Sequence, residues 1–277
     1  MPSTYAHYKF GREIYKRLPE SIKSSVDISP ELFAIGQHGP DIFFYHSALT
    51  KNPVKETGFA MHSKSAADFF IPAVDILKNT EDKSGYRAYI YGFVCHFILD
   101  SVCHWYVEDA IEETGVPHTW IEGDFDRMLM IRDGLDPVKY MTACHIVPSE
   151  ENAFVISEFF PDVTKEDAEK SLKDMIFYSR LLRCANPFKR AFILGGIKVM
   201  GASEFLSGMV IRKKANEKCE DAVKALDLLF SKALDEAVKY LAEFEAAIET
   251  DAPLSDRFSR TFGPDKESKE EYEVYKA

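Results

Sequence analysis

No two cysteines in this chain form a C-x-x-C pair, and the five present (Cys95, Cys103, Cys144, Cys184 and Cys219) are odd in number. That excludes a closed disulfide framework and a Cys-based zinc ribbon, and the cysteines read as reduced thiols. No run of about 18 uninterrupted apolar residues occurs, so no transmembrane helix is expected. The most apolar window, 88–107, is itself broken by His96, Asp100 and His104. The opening stretch, MPSTYAHYKFGREIYKRLPE, lacks a basic start followed by an apolar run and a small-residue cleavage site. It does not read as a secretory signal, and the expected location is cytoplasmic. The phosphate-cradling patterns GxGxxG and GxxxxGK[ST] and the nucleophile elbow GxSxG are all missing. No His is followed by Asp and no Glu-x-x-His pair occurs, which disfavours HD-type phosphohydrolases and ferritin-like di-iron bundles. Positive charge is in short supply too: 34 Lys and Arg stand against 45 Asp and Glu, a net charge of −11. A stable nucleic-acid complex is therefore not expected, and any polyanionic substrate or lipid surface needs a local basic or metal-charged site.

What is abundant is apolar and helical. Of the 277 residues, 46% are hydrophobic and 13% aromatic, enough for one substantial core. Apolar groups at 3.6-residue spacing predict helices over 5–18, 57–77 (Thr57 as the cap), 85–111 and 118–131, and a short one after Asp136-Pro137. Thr164, with Asp167 at the third helical position, opens another to about Arg183, and a long stripe covers 216–248. Alternating strands are absent apart from a short candidate at 153–156. The reading is an all-α single domain over 1–250, followed by a polar, flexible tail at 251–277 that contains KESKEEYE.

Chemistry concentrates on two helices. His96, Asp100 and His104 recur every four residues in GFVCHFILDSVCHWYV, and fourteen residues after His104 come His118 and Glu122 in HTWIEGDFD. Side chains four apart on a helix lie one above the other, so the first three share one strip of an apolar helix. Burying them without partners would cost about 1–3 kcal/mol for each polar group. A metal site removes that conflict, and imidazole with carboxylate suits Zn²⁺ best. Three more residues extend the set: His7, Asp41 after the Gly39-Pro40 turn, and His62 in AMHSKSA.

Taken in order, His7, Asp41 in GPD, His62, His96 and Asp100 in HFILD, His104, and His118 and Glu122 in HTWIE resemble the zinc-dependent phospholipase C family and its fold relatives, the single-strand-specific zinc nucleases. The resemblance implies an all-α multi-helix bundle with two or three zinc ions, cleaving a phosphodiester in a small-molecule or lipid substrate by metal-activated water. It implies one zinc held by Asp41, His62 and His96. Asp100 would bridge that zinc to a second one, bound also by His7, and His104, His118 and Glu122 would hold a third. Asp41 would additionally orient or deprotonate the water. Secreted relatives use an N-terminal Trp at the second zinc; this chain has none, which leaves the His7 zinc weaker, lost, or completed by another group, such as the amine of Pro2 after loss of Met1. The ligands lie within 7–122, which leaves 136–250 as scaffold helices that shape the pocket. The competing reading is a non-catalytic all-α metal-binding or scaffold protein with a degenerate site.

The remaining histidines, His38, His46 and His145, read as ordinary, with His38 a possible outer neighbour of the ligands. Cys95 and Cys103 read as packing residues, Phe43, Phe44 and Tyr45 as core, and Arg212, Lys213 and Lys214 as a solvated basic face.

Overall fold

The computed structural model describes residues 4–81 and 84–275. Among them run α1 (Thr4–Tyr15), α2 (Glu20–Ile28), α3 (Pro30–Gly36), α4 (Pro53–Met61), α5 (Ala67–Asn79), α6 (Ser84–Thr114) and α7 (His118–Arg132). They are followed by α8 (Glu150–Ser157), α9 (Lys165–Leu182), α10 (Pro187–Val199), α11 (Ser203–Leu206), α12 (Glu220–Thr250) and α13 (Lys266–Tyr272). Among the described residues there is no strand, only an isolated bridge between Ser65 and Thr261. The all-α expectation holds.

Local signals explain most boundaries. Asn52 accepts from the Lys55 N–H at 3.0 Å and Pro53 takes the first helical position, so α4 starts ahead of Thr57. The helix expected across 57–77 is in fact two helices, parted at His62. At Thr164 the capping box with Asp167 is complete. The candidate strand at 153–156 lies inside α8, where Ser149 accepts from the Asn152 N–H at 3.1 Å and Glu150 and Glu151 occupy the first turn. A helix start with a cap and favourable charge outweighs four apolar residues. The helix expected after Asp136-Pro137 stops at a single turn, with Tyr140 N–H donating to Asp136 at 2.9 Å.

Helix α6 is the axis of the molecule, with every residue from 88 to 107 buried. Its closest neighbour is α3. A Cβ on Gly36 would fall 2.1 Å from the Tyr89 carbonyl oxygen, and one on Gly92 would fall 2.3 Å from that of Phe33. The two backbones touch only because both positions lack a side chain. On another side, α1 is fixed to α7 by the buried Asp126, which accepts from the N–H groups of Tyr5 (3.0 Å) and Ala6 (2.8 Å). A carboxylate there satisfies otherwise unpaired donors at the helix N-terminus.

The flexible tail expected beyond Asp251 is not what the structure shows. Arg257, Phe258, Phe262, Ser268 and Tyr272 are buried. The rings of Phe258 and Phe262 sit 5.1 Å from Phe70 and Phe97 respectively. A few large aromatics among charged residues bury ample area without leaving a periodic pattern to read.

Candidate metal centre

Asp100 is the hub. One carboxylate oxygen lies 3.1 Å from His7 Nε2. The other lies 3.2 Å from His96 Nε2, 3.6 Å from His62 Nε2 and 3.6 Å from His104 Nδ1. Four imidazoles from two helices and one loop thus converge on one buried carboxylate. Asp41 completes this side, 3.1 Å from His62 Nε2. It is held by the 3-10 segment Gly39–Tyr45, which starts at Gly39 with φ +48°. A Cβ at Gly39 would sit 2.2 Å from His96 Cδ2, so glycine is needed both for the turn and for the ring beside it.

The orientation of the rings is fixed from behind. Nδ1 faces a backbone carbonyl in three of them: His62 to Gly58 at 3.0 Å, His96 to Gln37 at 3.2 Å and His104 to Phe262 at 2.9 Å. Carbonyls only accept, so Nδ1 carries a proton in each ring and Nε2 is the nitrogen left to meet the carboxylates or a metal. That is the tautomer a metal-ligating histidine needs. Nε2 of His62, His96 and His118 is buried and faces Asp41, Asp100 and Glu122 respectively, at 3.1, 3.2 and 3.0 Å.

Among the described residues, three groups of side chains could hold an ion: His7, His96 and Asp100; Asp41, His62 and His96; and His104, His118 and Glu122. In the third, Glu122 lies 3.0 Å from His118 Nε2 and 3.4 Å from His104 Nε2. A cavity of about 20 Å³ lined by His7, Asp100, His104 and Glu122 has room for an occupant the size of one water molecule. All eight residues singled out in the sequence therefore meet in one region. Pro2 lies outside the described residues. The one difference from the implied division is His96, which faces both of the first two groups.

Electrostatics follow from this crowding. Burial alone would lower the His62 imidazole, but the facing carboxylates of Asp100 and Asp41 raise it to about 10. Likewise His118, opposed by burial, is raised to about 9 by Glu122 and Glu108. Burial would push the acids up, yet the histidines hold Asp41 at about 2 and keep Asp100 and Glu122 well below the usual carboxylate range. The raised imidazoliums supply positive charge between these carboxylates. The thiols stay out of it: burial pushes Cys95 up to about 12 and Cys103 upward as well, so both remain protonated.

Several residues take on roles that the sequence left open. His38 and His145, far apart in the chain, meet with their Nε2 atoms 2.6 Å apart, one donating to the other. Burial lowers both, His145 to about 3, so the pair is neutral behind His7, whose ring lies 6.3 Å from His38. His46 lies apart, bonded to Asn52 at 3.2 Å. Phe43, Phe44 and Tyr45 are buried as expected. Arg212 is committed, stacked over Trp120 at 4.2 Å and paired with Asp124 at 3.2 Å, while Lys213 and Lys214 are exposed. Sequence reasoning missed Glu108, Asp126 and the Phe262 carbonyl. The first two carried a signal: Glu108 is one more four-residue step after His104, and Asp126 one more after Glu122. Glu108 lies 3.5 Å from His118 Nδ1, and Asp126 holds the segment that presents His7.

With this geometry in view, comparison with known proteins gives one match: the family described as zinc dependent phospholipase C, over residues 6–178. That is more than half of the chain, and the protein belongs to this family. No curated protein and no solved structure matches it.

Proposed function

We propose that this chain is a zinc-dependent phosphoesterase that hydrolyses a phosphodiester, with a small-molecule or lipid substrate, by the attack of an activated water. The observation that carries the reading is the fixing of Nδ1 of His62, His96 and His104 on carbonyls, which leaves Nε2 of each directed at Asp41, Asp100 or Glu122. Asp41, His62 and His96 would hold one ion. Asp100 and His7 would hold a second, with Asp100 shared between the two. His104, His118 and Glu122 would hold a third. When bound, zinc supplies positive charge to the nonbridging phosphate oxygens and lowers the pKa of a coordinated water to about 7.

The chain's own contribution is positioning and proton handling. Asp41, a carboxylate at neutral pH beside His62, orients the attacking water and accepts its proton. His62 and His118 are the half-buried members of the set, so substrate approaches along their side. With no nucleophile motif in the chain, attack is direct and inverting, without a covalent intermediate. Elemental analysis of chelator-free protein, paired with hydrolysis of a chromogenic phosphodiester, tests the reading. Two or three zinc per chain and turnover abolished by chelation are expected. Full zinc with no turnover of any phosphodiester would replace it with the non-catalytic metal-binding reading.

A further inference from the structure

Helix α10 lies beyond the segment matched by the family. Its sequence, PFKRAFILGGIKV, is apolar on two opposite sides. The inner side, with Ile193 and the buried Ile197, packs with Cys184 and Val210 into a small second cluster. The outer side presents Phe188, Phe192 and Val199, which are 84%, 81% and 90% exposed. These residues, at i, i+4 and i+11, form one stripe along the helix. Single exposed apolar residues are ordinary, but a continuous stripe facing water is not.

The charge around the stripe reverses that of the chain. Residues 175–216 carry eight Lys or Arg against a single acidic residue, although the chain as a whole is −11. Lys189 and Lys198 flank the stripe on its two sides. Lys189 donates to the carbonyls of Arg180 and Arg183, each at 2.9 Å, which joins the exposed end of α9 to α10. Arg190 donates to the carbonyls of Ile211 (2.8 Å) and Val210 (3.2 Å), bringing the segment before Lys213 and Lys214 alongside. Behind the stripe opens a cavity of about 230 Å³, lined by Phe44, Tyr45, Phe59, Leu182, Phe192 and Met200. Its inner wall reaches the metal centre, since the Phe44 ring lies 5.3 Å from that of His62.

We propose that α10 and this cavity form a docking surface for an anionic lipid bilayer. Phe188, Phe192 and Val199 enter the acyl boundary, the flanking basic residues meet headgroup phosphates, and the cavity receives part of an acyl chain beside His62. An apolar stripe edged with Lys and Arg is the pattern of a helix lying in the interface plane. A net positive segment on an otherwise acidic chain orients that side toward an anionic surface.

Docking needs no turnover, so its test is separate from that of the proposed activity. The full chain is sedimented with phosphatidylcholine vesicles, with and without phosphatidylserine, at low and high salt. Wild-type protein should pellet with the anionic vesicles and be released by salt. Phe188→Ser with Phe192→Ser should weaken partitioning by about tenfold or more. Lys198→Glu with Lys213→Glu and Lys214→Glu should remove the preference for phosphatidylserine. Both variants change exposed residues and should retain the wild-type circular dichroism, and the Lys variant should also retain hydrolysis of a soluble phosphodiester. Wild-type protein left in the supernatant with both vesicles, or a Phe variant that pellets like wild type, would overturn the proposal. So would a dimer in sedimentation velocity that the Phe substitutions dissolve, since the stripe would then be a contact between copies. Lost vesicle binding with intact hydrolysis counts for docking alone, and intact binding without hydrolysis counts against the activity alone.

Discussion

Replacing Asp100 by Asn keeps the shape of the side chain and removes its charge, and this one change should dismantle the centre. His7, His62, His96 and His104 lie 3.1, 3.6, 3.2 and 3.6 Å from its carboxylate oxygens, and the residue is only 3% exposed. An amide offers one weaker acceptor oxygen and turns two donor hydrogens toward the group. Removing one partner of a buried charge pair costs about 3–5 kcal/mol, equivalent to roughly 10²- to 10⁴-fold in metal affinity. Zinc competition against a chromophoric chelator at neutral pH measures the affinity, with circular dichroism to confirm folding. His46→Ala, away from the centre, and His145→Ala, behind it, should each shift affinity by less than about tenfold. If Asp100→Asn weakens zinc no more than these two, the carboxylate is not a shared ligand and the hub argument fails.

The other predictions test separate parts of the argument. Zinc must displace protons from His62 and His118, raised to about 10 and about 9, so apparent affinity should climb as pH rises from 6 toward 9 in isothermal titration; a flat profile would contradict those shifts. For the metal-free protein the sign is the opposite. The stability from these raised histidines is complete below their ordinary value near 6.5 and is lost as pH passes through about 9 to 10, which thermal melts with chelator present would detect. Gly39→Ala should destabilise by about 1–3 kcal/mol and reduce zinc content, because the residue has positive φ and the His96 ring would have to move; wild-type zinc content would refute the close-approach argument. Phe258→Ala should cost about 3–5 kcal/mol in denaturant unfolding, whereas a loss under about 0.5 kcal/mol would restore the picture of a mobile tail. Asp126→Ala, which strips the acceptor from the Tyr5 and Ala6 N–H groups, should lower zinc content through His7 while leaving His62 and His118 in place.

The eight liganding candidates were legible because helical spacing turns sequence distance directly into proximity: His96, Asp100 and His104 could lie only on one strip. The helix class and the large helices α6, α7, α9 and α12 were legible for the same reason. What escaped was everything set by contact between distant segments. Nothing local marks Phe262 as the residue whose carbonyl orients His104, since any residue supplies a carbonyl. His38 and His145 are 107 positions apart, and their pairing is a property of the packed fold alone. The break after α4 went unseen because the apolar pattern runs on through it, and the start at Asn52-Pro53 was missed because Thr57 was read as the cap. Beyond Asp251, a handful of aromatics among charges carried no rhythm, although their burial decides where that segment rests.

His7 comes from the first helix, and the Phe262 carbonyl comes from a segment some 250 positions later; they close the same small volume from opposite ends of the chain. Contacts so distant along the sequence form late, after most of the loop-closure entropy has been lost. A folding chain in which the segment around Phe262 has not yet docked would already have the helical strip of His96 and Asp100, but with His104 unanchored and its ring free to rotate. Tight ion capture then becomes a signal that these two distant segments have met. A form with that segment undocked would betray itself by weak metal retention before any loss of helix content showed.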